Sequence, residues 1–218
     1  MQKVAPVHDS RGRSLPGSLV KTLHHLRDCK SILDVCGGTG RIARYLVKLG
    51  HDVKVVDLSE DMLDIARRKG LRVEIQDARH LDEQKASYDA VICLGNSLGG
   101  IPSKDGRMQA IKEMVRVSRK YVIIDCTNRL FDLPVVWLPL YVRKLLGCYR
   151  PGLRLREDVV SGTNLGDIVY HDRELDAVLY HYVYSFLELR GEMRRAGLKV
   201  TALNGMLSRR VVLVGVKR

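Results

Sequence analysis

The sequence predicts an α/β fold in which strands and helices alternate around an open sheet. Apolar runs of strand length alternate with segments whose apolar residues recur at helical spacing. The first four of these runs end in small or polar residues, which is typical of the carboxyl edge where open α/β sheets bind ligands. A glycine-rich turn at residues 36–40 leads from the first strand into a helix.

The predicted elements follow one another in a regular order. Strands are predicted at 32–35, 53–57, 71–75, 89–94 and 121–126. Helices are predicted at 41–49, after Ser59 as N-cap, and at 106–118. Near the end of the chain, Ser185 is expected to cap a helix that runs to Arg195 and ends at Gly197. Two further strands are predicted at 198–203 and 211–216.

Residues 127–184 interrupt this alternation. The stretch 127–150 is apolar and is broken by Pro134 and Pro139. Three strand-like runs separated by turn residues then follow, at 154–160, 167–173 and 177–184. We interpret residues 127–184 as an apolar segment and a small antiparallel β meander, inserted into a single domain that spans residues 1–218. This insert is expected to select the substrate.

The glycine turn indicates a nucleotide-like ligand. A strand that runs through glycines into a helix lets the backbone approach a ligand closely. Asp34 precedes the turn, where a carboxylate would repel a pyrophosphate and attract the cationic end of a ligand. Asp57 ends the second strand and can accept both hydroxyls of a ribose. Residues 38–43 also fit the GxGxxA pattern of nicotinamide and flavin proteins, so a dehydrogenase is an alternative.

In these motifs the chain resembles the class I methyltransferases that depend on S-adenosylmethionine. The family motif Asp-Xaa-Gly-Xaa-Gly-Xaa-Gly matches residues 34–40, with Cys36 in place of the first glycine. Residues 88–97 resemble the fourth-strand segment of small-molecule methyltransferases, glycine N-methyltransferase among them. The resemblance is strong over 30–126 and looser over 185–218. It implies a Rossmann-like, doubly wound seven-stranded sheet, mostly parallel with an antiparallel last strand, plus the β meander insert.

The resemblance implies S-adenosylmethionine as cofactor and S-adenosylhomocysteine as product. Asp57 would bind the ribose, and Asp77 with Ala78 would contact the adenine. The expected cofactor-binding residues are Asp34, Cys36, Gly37, Gly38, Gly40, Asp57, Leu58, Met62, Asp77, Ala78, Leu94 and Asn96. Taken singly, these residues also fit structural roles, since glycines form turns and Asp caps helices.

Methyl transfer in this family is an in-line displacement by a substrate nucleophile. The protein must align the reactants, exclude water and, for a protonated nucleophile, accept a proton. Neither a catalytic triad nor a metal site is required, and none is predicted. The candidate catalytic residues are Asn96, His171 and His181. The candidate substrate contacts are Asn96, Trp137, Tyr180 and Tyr182, although a tyrosine stripe on one face of a strand also fits sheet packing.

Composition restricts the class of protein. At 218 residues and 45% hydrophobic, the chain suits one domain with a sizeable core. It has no apolar run long enough for a membrane span, and its first residues lack the apolar core of a signal peptide. Five cysteines without metal-ligand spacing suit a reducing cytoplasm.

The acceptor is predicted less sharply than the donor. We expect a nitrogen or oxygen nucleophile of a small molecule. The net charge of +12 favours polyanions and makes tRNA or another RNA an alternative, although the basic residues are scattered in twos and threes. The apolar residues within 130–146 make a lipid or isoprenoid acceptor another alternative. A further alternative is a different class of protein, a regulator that binds the cofactor but has no enzymatic activity. The sequence does not determine the oligomeric state.

Overall fold

The computed structural model describes residues 17–129, 167–172, 177–203, 208 and 210–217. The helices are α1 (Gly17–Leu26), α2 (Arg41–Lys48), α3 (Glu60–Arg68), α4 (Lys104–Val117) and α5 (Phe186–Arg195), with a 3-10 turn at Ser97–Gly100. The strands are β1 (Ser31–Val35), β2 (Asp52–Asp57), β3 (Arg72–Ile75), β4 (Tyr88–Cys93), β5 (Ser118–Thr127), β6 (Asp167–Asp172), β7 (Ala177–Tyr182), β8 (Leu198–Ala202) and β9 (Arg210–Lys217).

Seven of these strands form one sheet in the order β3-β2-β1-β4-β5-β9-β8. Strands β1 to β5 pair in parallel, and β9 is antiparallel to both of its neighbours, β5 and β8. The predicted α/β sheet with an antiparallel last strand is therefore confirmed. The strand order reverses between β1 and β4, and such a switch point opens a ligand-binding crevice at the carboxyl ends of the strands.

Alternate strand residues enter opposite layers of the core. Leu33 of β1 packs with the buried residues of α4 and α5, whereas Ile32 packs with those of α1, α2 and α3. Both faces of the sheet are thus covered by helices, which is why the inner strands β1, β4, β5 and β9 contain long apolar runs. Four consecutive residues of β9, Val211 to Val214, are completely buried.

Capping residues mark the start of α3 and both ends of α5 where the sequence predicts them. The Ser59 hydroxyl accepts a hydrogen bond from the Met62 N–H at the start of α3. At the start of α5, Ser185 and Glu188 form a reciprocal capping box. Gly197 follows α5 with a φ of 96°, the left-handed conformation that glycine adopts without penalty. Neither α1 nor the 3-10 turn was predicted.

Strands β6 and β7 form a separate two-stranded antiparallel hairpin. They correspond to two of the three strands predicted for the meander. His171 lies in β6, where it pairs with Val178 of β7. The third predicted strand (154–160), Trp137 and most of the apolar segment lie outside the described residues, so the limits of the insert stay a prediction. None of the described helices is both long and apolar enough to cross a bilayer.

Candidate active site

The glycine turn and the end of β2 meet at Asp57. The Gly38 N–H donates to Asp57 Oδ2 at 2.9 Å, and the Ser59 N–H donates to Asp57 Oδ1 at 2.9 Å. Each carboxylate oxygen keeps lone-pair capacity for a further donor, as the predicted ribose contact requires. A Cβ atom built on Gly38 would lie 3.2 Å from Met62 Sδ, so the turn, Asp57 and Met62 share one location.

Asp34 lies beneath this turn and is 1% exposed. A Cβ atom on Gly37 would come within 2.8 Å of the Asp34 carboxyl group and of Val55, so only glycine fits at residue 37. The Ala43 N–H hydrogen-bonds the Asp34 carboxyl group. Among the described residues, Asp34 Oδ2 has no hydrogen-bond partner. Burial, reinforced by the charge of Asp57, raises the pKa of Asp34 to about 7.

Two other residues of the turn have structural roles. Gly40 has a φ of 69°, and a Cβ there would lie 2.2 Å from Leu71 Cδ1, so glycine lets α2 pack closely beside the end of α3. Cys36 has a φ of 54°, a left-handed conformation that costs a non-glycine residue about 1–2 kcal/mol. The chain therefore keeps at Cys36 a backbone conformation suited to the glycine that the motif usually has.

The end of β3 lies beside Asp57, because Ile75 pairs with Asp57 in the sheet. Ile75 is 48% exposed and Leu58, next to Asp57, is 64% exposed. These two apolar side chains can cover a flat ring bound near Asp57. Ile75 was not predicted as a site residue, although its position before the polar residues that follow β3 was a usable signal.

Asp77 is located at this edge, but its carboxylate is already hydrogen-bonded to Arg79. Both of its carboxylate oxygens accept hydrogen bonds from the Arg79 guanidinium, and Oδ1 also accepts from the Arg79 N–H. These hydrogen bonds lower the pKa of Asp77. Ala78, its neighbour, is buried. The sequence interpretation missed Arg79, which would have to share Asp77 with an adenine.

Asn96 links the ends of β4, β5 and β7. Its backbone N–H donates to Asp125 Oδ1 at 2.8 Å, and its side-chain Oδ1 accepts the Thr127 N–H at 2.8 Å. The side-chain amide nitrogen Nδ2 then donates to Nε2 of His181. Leu94, two residues earlier, is buried beneath this turn. The structure thus brings together the candidates Asn96 and His181, which are 85 residues apart.

His181 is held as a neutral imidazole. Because Nε2 accepts from Asn96, the ring proton of the neutral form is on Nδ1. Burial, and then the charges of Arg210 and Arg107, lower the pKa of His181 to about 4. As a general base, His181 would have to give up the Asn96 hydrogen bond and accept a proton in an unfavourable electrostatic environment.

The tyrosines of β7 pack around Arg107, a buried residue of α4 that was not predicted. The guanidinium carbon of Arg107 lies 3.6 Å from the centroid of the Tyr182 ring, and Arg107 Nη1 donates to the Tyr180 hydroxyl at 3.1 Å. The Tyr182 hydroxyl donates to Glu188. Tyr182 is only 3% exposed. These contacts favour packing for Tyr182 over the predicted substrate contact.

The neutral state of His181 predicts a loss of stability in acid. The pKa of His181 is lowered from 6.5 to about 4 on folding, so its contribution is present above about pH 6.5 and is lost as the pH falls through about 4. The full shift corresponds to roughly 3 kcal/mol. The glutamine amide oxygen in His181→Gln can still accept a hydrogen bond from Asn96 but does not titrate. The free energy of unfolding of this variant, measured with denaturant, should therefore not fall over this pH range as that of wild type does. An identical pH profile for both proteins would contradict the assignment.

Residues 32–121 match the family described as "Methyltransferase domain". The matched segment contains the glycine turn, and the strand order of the sheet agrees with the class of protein that this segment indicates, the class I methyltransferases. A glycine/sarcosine N-methyltransferase from Aphanothece halophytica is 36% identical over 124 residues, which cover 52% of this chain and 45% of that protein. A ubiquinone biosynthesis O-methyltransferase from Shewanella pealeana is 31% identical over 125 residues, which cover 54% of this chain and 49% of that protein.

The chain spans about half the length of these curated relatives. Among solved structures, a S-adenosylmethionine-dependent methyltransferase from Methanosarcina mazei superposes with a TM-score of 0.69 at 17% identity, covering 89% of this chain and 96% of that one. A donor-bound amino pentose methyltransferase from Micromonospora echinaspora superposes with a TM-score of 0.67 at 18% identity, covering 98% and 95%. At these identities the superpositions establish the fold.

Proposed function

We propose that the protein transfers a methyl group from S-adenosylmethionine to a nitrogen or oxygen atom of a small molecule. The bound donor supplies an electrophilic methyl group on a cationic sulfur. Asp57 would hold the ribose hydroxyls beside the Gly38 backbone, with Leu58, Met62 and Ile75 as apolar cover. Asp34 Oδ2 is a buried carboxylate oxygen without a hydrogen-bond partner among the described residues, which suits a ligand that carries positive charge.

The observation that carries the small-molecule assignment is the close packing of β7 on the turn after β4. A Cβ atom on Gly99 would lie 2.3 Å from the carbonyl oxygen of Tyr182, and His181 contacts Asn96 in the same turn. The hairpin thus covers the strand ends next to the donor site, which supports a small, enclosed acceptor. The names of the curated relatives, a glycine/sarcosine N-methyltransferase and a ubiquinone biosynthesis O-methyltransferase, point the same way.

In this proposal the acceptor lies near Asn96. The amide of Asn96 is oriented by Thr127 and cannot rotate without losing that bond, so it can align an acceptor but has little freedom to adapt. His181 positions Asn96 rather than taking the substrate proton, because its Nε2 atom already accepts a hydrogen bond. An acceptor with a free lone pair, such as a neutral amine, needs no protein base for the attack itself.

The alternative acceptors are separated by one experiment. The purified protein is incubated with methyl-labelled S-adenosylmethionine and cell extract, and the products are divided by nuclease treatment and organic extraction. Label in the small-molecule fraction, absent with Asp57→Ala, is the expected result. Nuclease-sensitive label would overturn it and would assign the net charge of +12 to RNA binding. Label confined to extracted lipids would favour the apolar acceptor suggested by residues 130–146, which lie outside the described residues.

We also propose that the protein acts in the cytoplasm. The described cysteines are free thiols, with Cys29, Cys93 and Cys126 buried and Cys36 half-buried. Thiols kept in this form are typical of a reducing compartment.

A further inference from the structure

Asp34 is a titratable group that the donor-binding role of Asp57 leaves unexplained. It is 1% exposed, and its Oδ2 atom has no hydrogen-bond partner among the described residues. An isolated buried carboxylate is costly, so such a group either takes up a proton or awaits a positive charge. It lies at the end of β1, where the backbone of Gly37 is pressed against it. That is the switch point of the sheet, the expected location of the donor.

The surroundings of Asp34 contain negative or apolar groups. From β2, Asp57 contributes the nearby negative charge, and Val55 is the strand partner of Asp34. From β4, the buried Cys93 thiol lies close to Asp34, and the half-buried Cys36 follows Asp34 in the turn. From α2, the Ala43 N–H hydrogen-bonds the carboxyl group, and the buried face of this helix is apolar. This environment stabilises the protonated carboxyl group in the ligand-free protein.

We propose that Asp34 holds a proton in the ligand-free protein and releases it when the positively charged donor binds, so that the site distinguishes S-adenosylmethionine from its neutral-sulfur product. The inference deepens the proposed function and relies on its donor. In the step, the carboxylic acid of Asp34 becomes a carboxylate and its proton passes to solvent, while the sulfonium charge takes the place of the proton as the compensating charge. Both ligands carry the same α-ammonium group, and the product has lost only the sulfonium charge along with the methyl group, so Asp34 takes up a proton again when the product occupies the site.

Two consequences follow by linkage. Donor affinity must rise with pH over the range in which the free protein holds the proton, because binding then no longer has to expel it. A pKa of about 7 for Asp34 in the free protein gives a donor affinity that increases about five- to tenfold from about pH 6 to about pH 8. The affinity for the product should change much less, so that the preference for donor over product increases with pH.

Isothermal titration calorimetry tests this proposal without any methyl acceptor. Titrations of the full chain near pH 6.5 in buffers of different ionisation enthalpy give the number of protons released for each ligand bound. Wild type should release roughly half to three quarters of a proton with S-adenosylmethionine and clearly less with S-adenosylhomocysteine. Asp34→Asn should abolish this difference. Asp64→Asn, at an exposed carboxylate of α3 paired with Arg67, is the matched control and should behave like wild type.

Equal proton release by the two ligands, or a difference that persists in Asp34→Asn, would overturn the proposal. If Asp34→Asn does not fold, the proposal is tested by the pH dependence of the affinities of wild type for S-adenosylmethionine and S-adenosylhomocysteine. Parallel pH profiles for the two ligands would contradict the proposal. Calorimetry reports donor binding directly, so a negative result for proton release leaves the proposed small-molecule acceptor untouched. Equally, an RNA acceptor in the labelling experiment would not affect proton release on donor binding.

Discussion

Replacing Asp57 with alanine is expected to weaken the binding of S-adenosylmethionine by about 100-fold or more. Two hydrogen bonds from ribose hydroxyls to a carboxylate contribute roughly 1.5–3 kcal/mol each, and about 1.4 kcal/mol corresponds to a tenfold change in affinity. The substitution also leaves the Gly38 and Ser59 N–H groups without their acceptor, which loosens the glycine turn. Calorimetric titration with the donor measures the effect.

Two further variants separate the causes of this loss. Asp57→Asn keeps one oxygen for a backbone N–H but removes the charge, so we expect an intermediate affinity. Asp64→Ala removes an exposed carboxylate from the next helix and should bind the donor as wild type does. Unchanged donor affinity in Asp57→Ala would remove Asp57 from the site, and the nucleotide assignment of the β2 end with it.

The second large effect concerns the stability of the ligand-free protein. Folding raises the pKa of Asp34 from 3.8 to about 7, so the native state binds more protons than the unfolded state between these values. The contribution of Asp34 is therefore fully present below about pH 4 and is lost as the pH rises through about 7. The full shift corresponds to up to about 4 kcal/mol. Asp34→Asn, which does not titrate, should lack this decline.

The difference between the two proteins is the informative quantity. The contribution of His181 changes in the opposite direction over about pH 4 to 6.5, so the wild-type profile alone partly conceals both effects. The free energies of unfolding of wild type and Asp34→Asn are measured with denaturant across this pH range. In their difference, the contributions of all titratable groups that the two proteins share cancel. The stability of wild type relative to the variant should fall steadily as the pH rises. A constant difference would mean that Asp34 is ionised in the folded protein.

Features that depend on neighbouring residues were predictable from the sequence. The apolar runs of β1, β2, β4 and β5 identified buried strands, since a sheet covered on both faces needs apolar residues at nearly every position. Ser59 and Ser185 marked helix starts because a cap is satisfied within three residues of itself. The glycine turn and Asp57 were recognisable for the same reason: their geometry is set within one β-strand, turn and helix.

Features that depend on contacts between distant segments were not predictable. Arg107 lies within a helix that was predicted from the spacing of its apolar residues, yet it is itself buried against tyrosines of β7. Similarly, the hydrogen bond between Asn96 and His181 joins residues 85 positions apart in the sequence. Arg107 is charged, and its burial is acceptable only because Tyr180 and Tyr182, which lie far from it in the sequence, contact it in the fold.

The sequence by itself determined the α/β sheet, its carboxyl edge and the residues that gather there, because hydrophobic periodicity and turn chemistry are local properties of the chain. Only the tertiary structure decided the chemical state of those residues. Asp34 is protonatable near neutral pH because the fold buries it beside Asp57, and His181 is neutral because the fold buries it near Arg210 and Arg107. Desolvation and charge proximity depend on three-dimensional distance, which residue spacing along the chain does not encode.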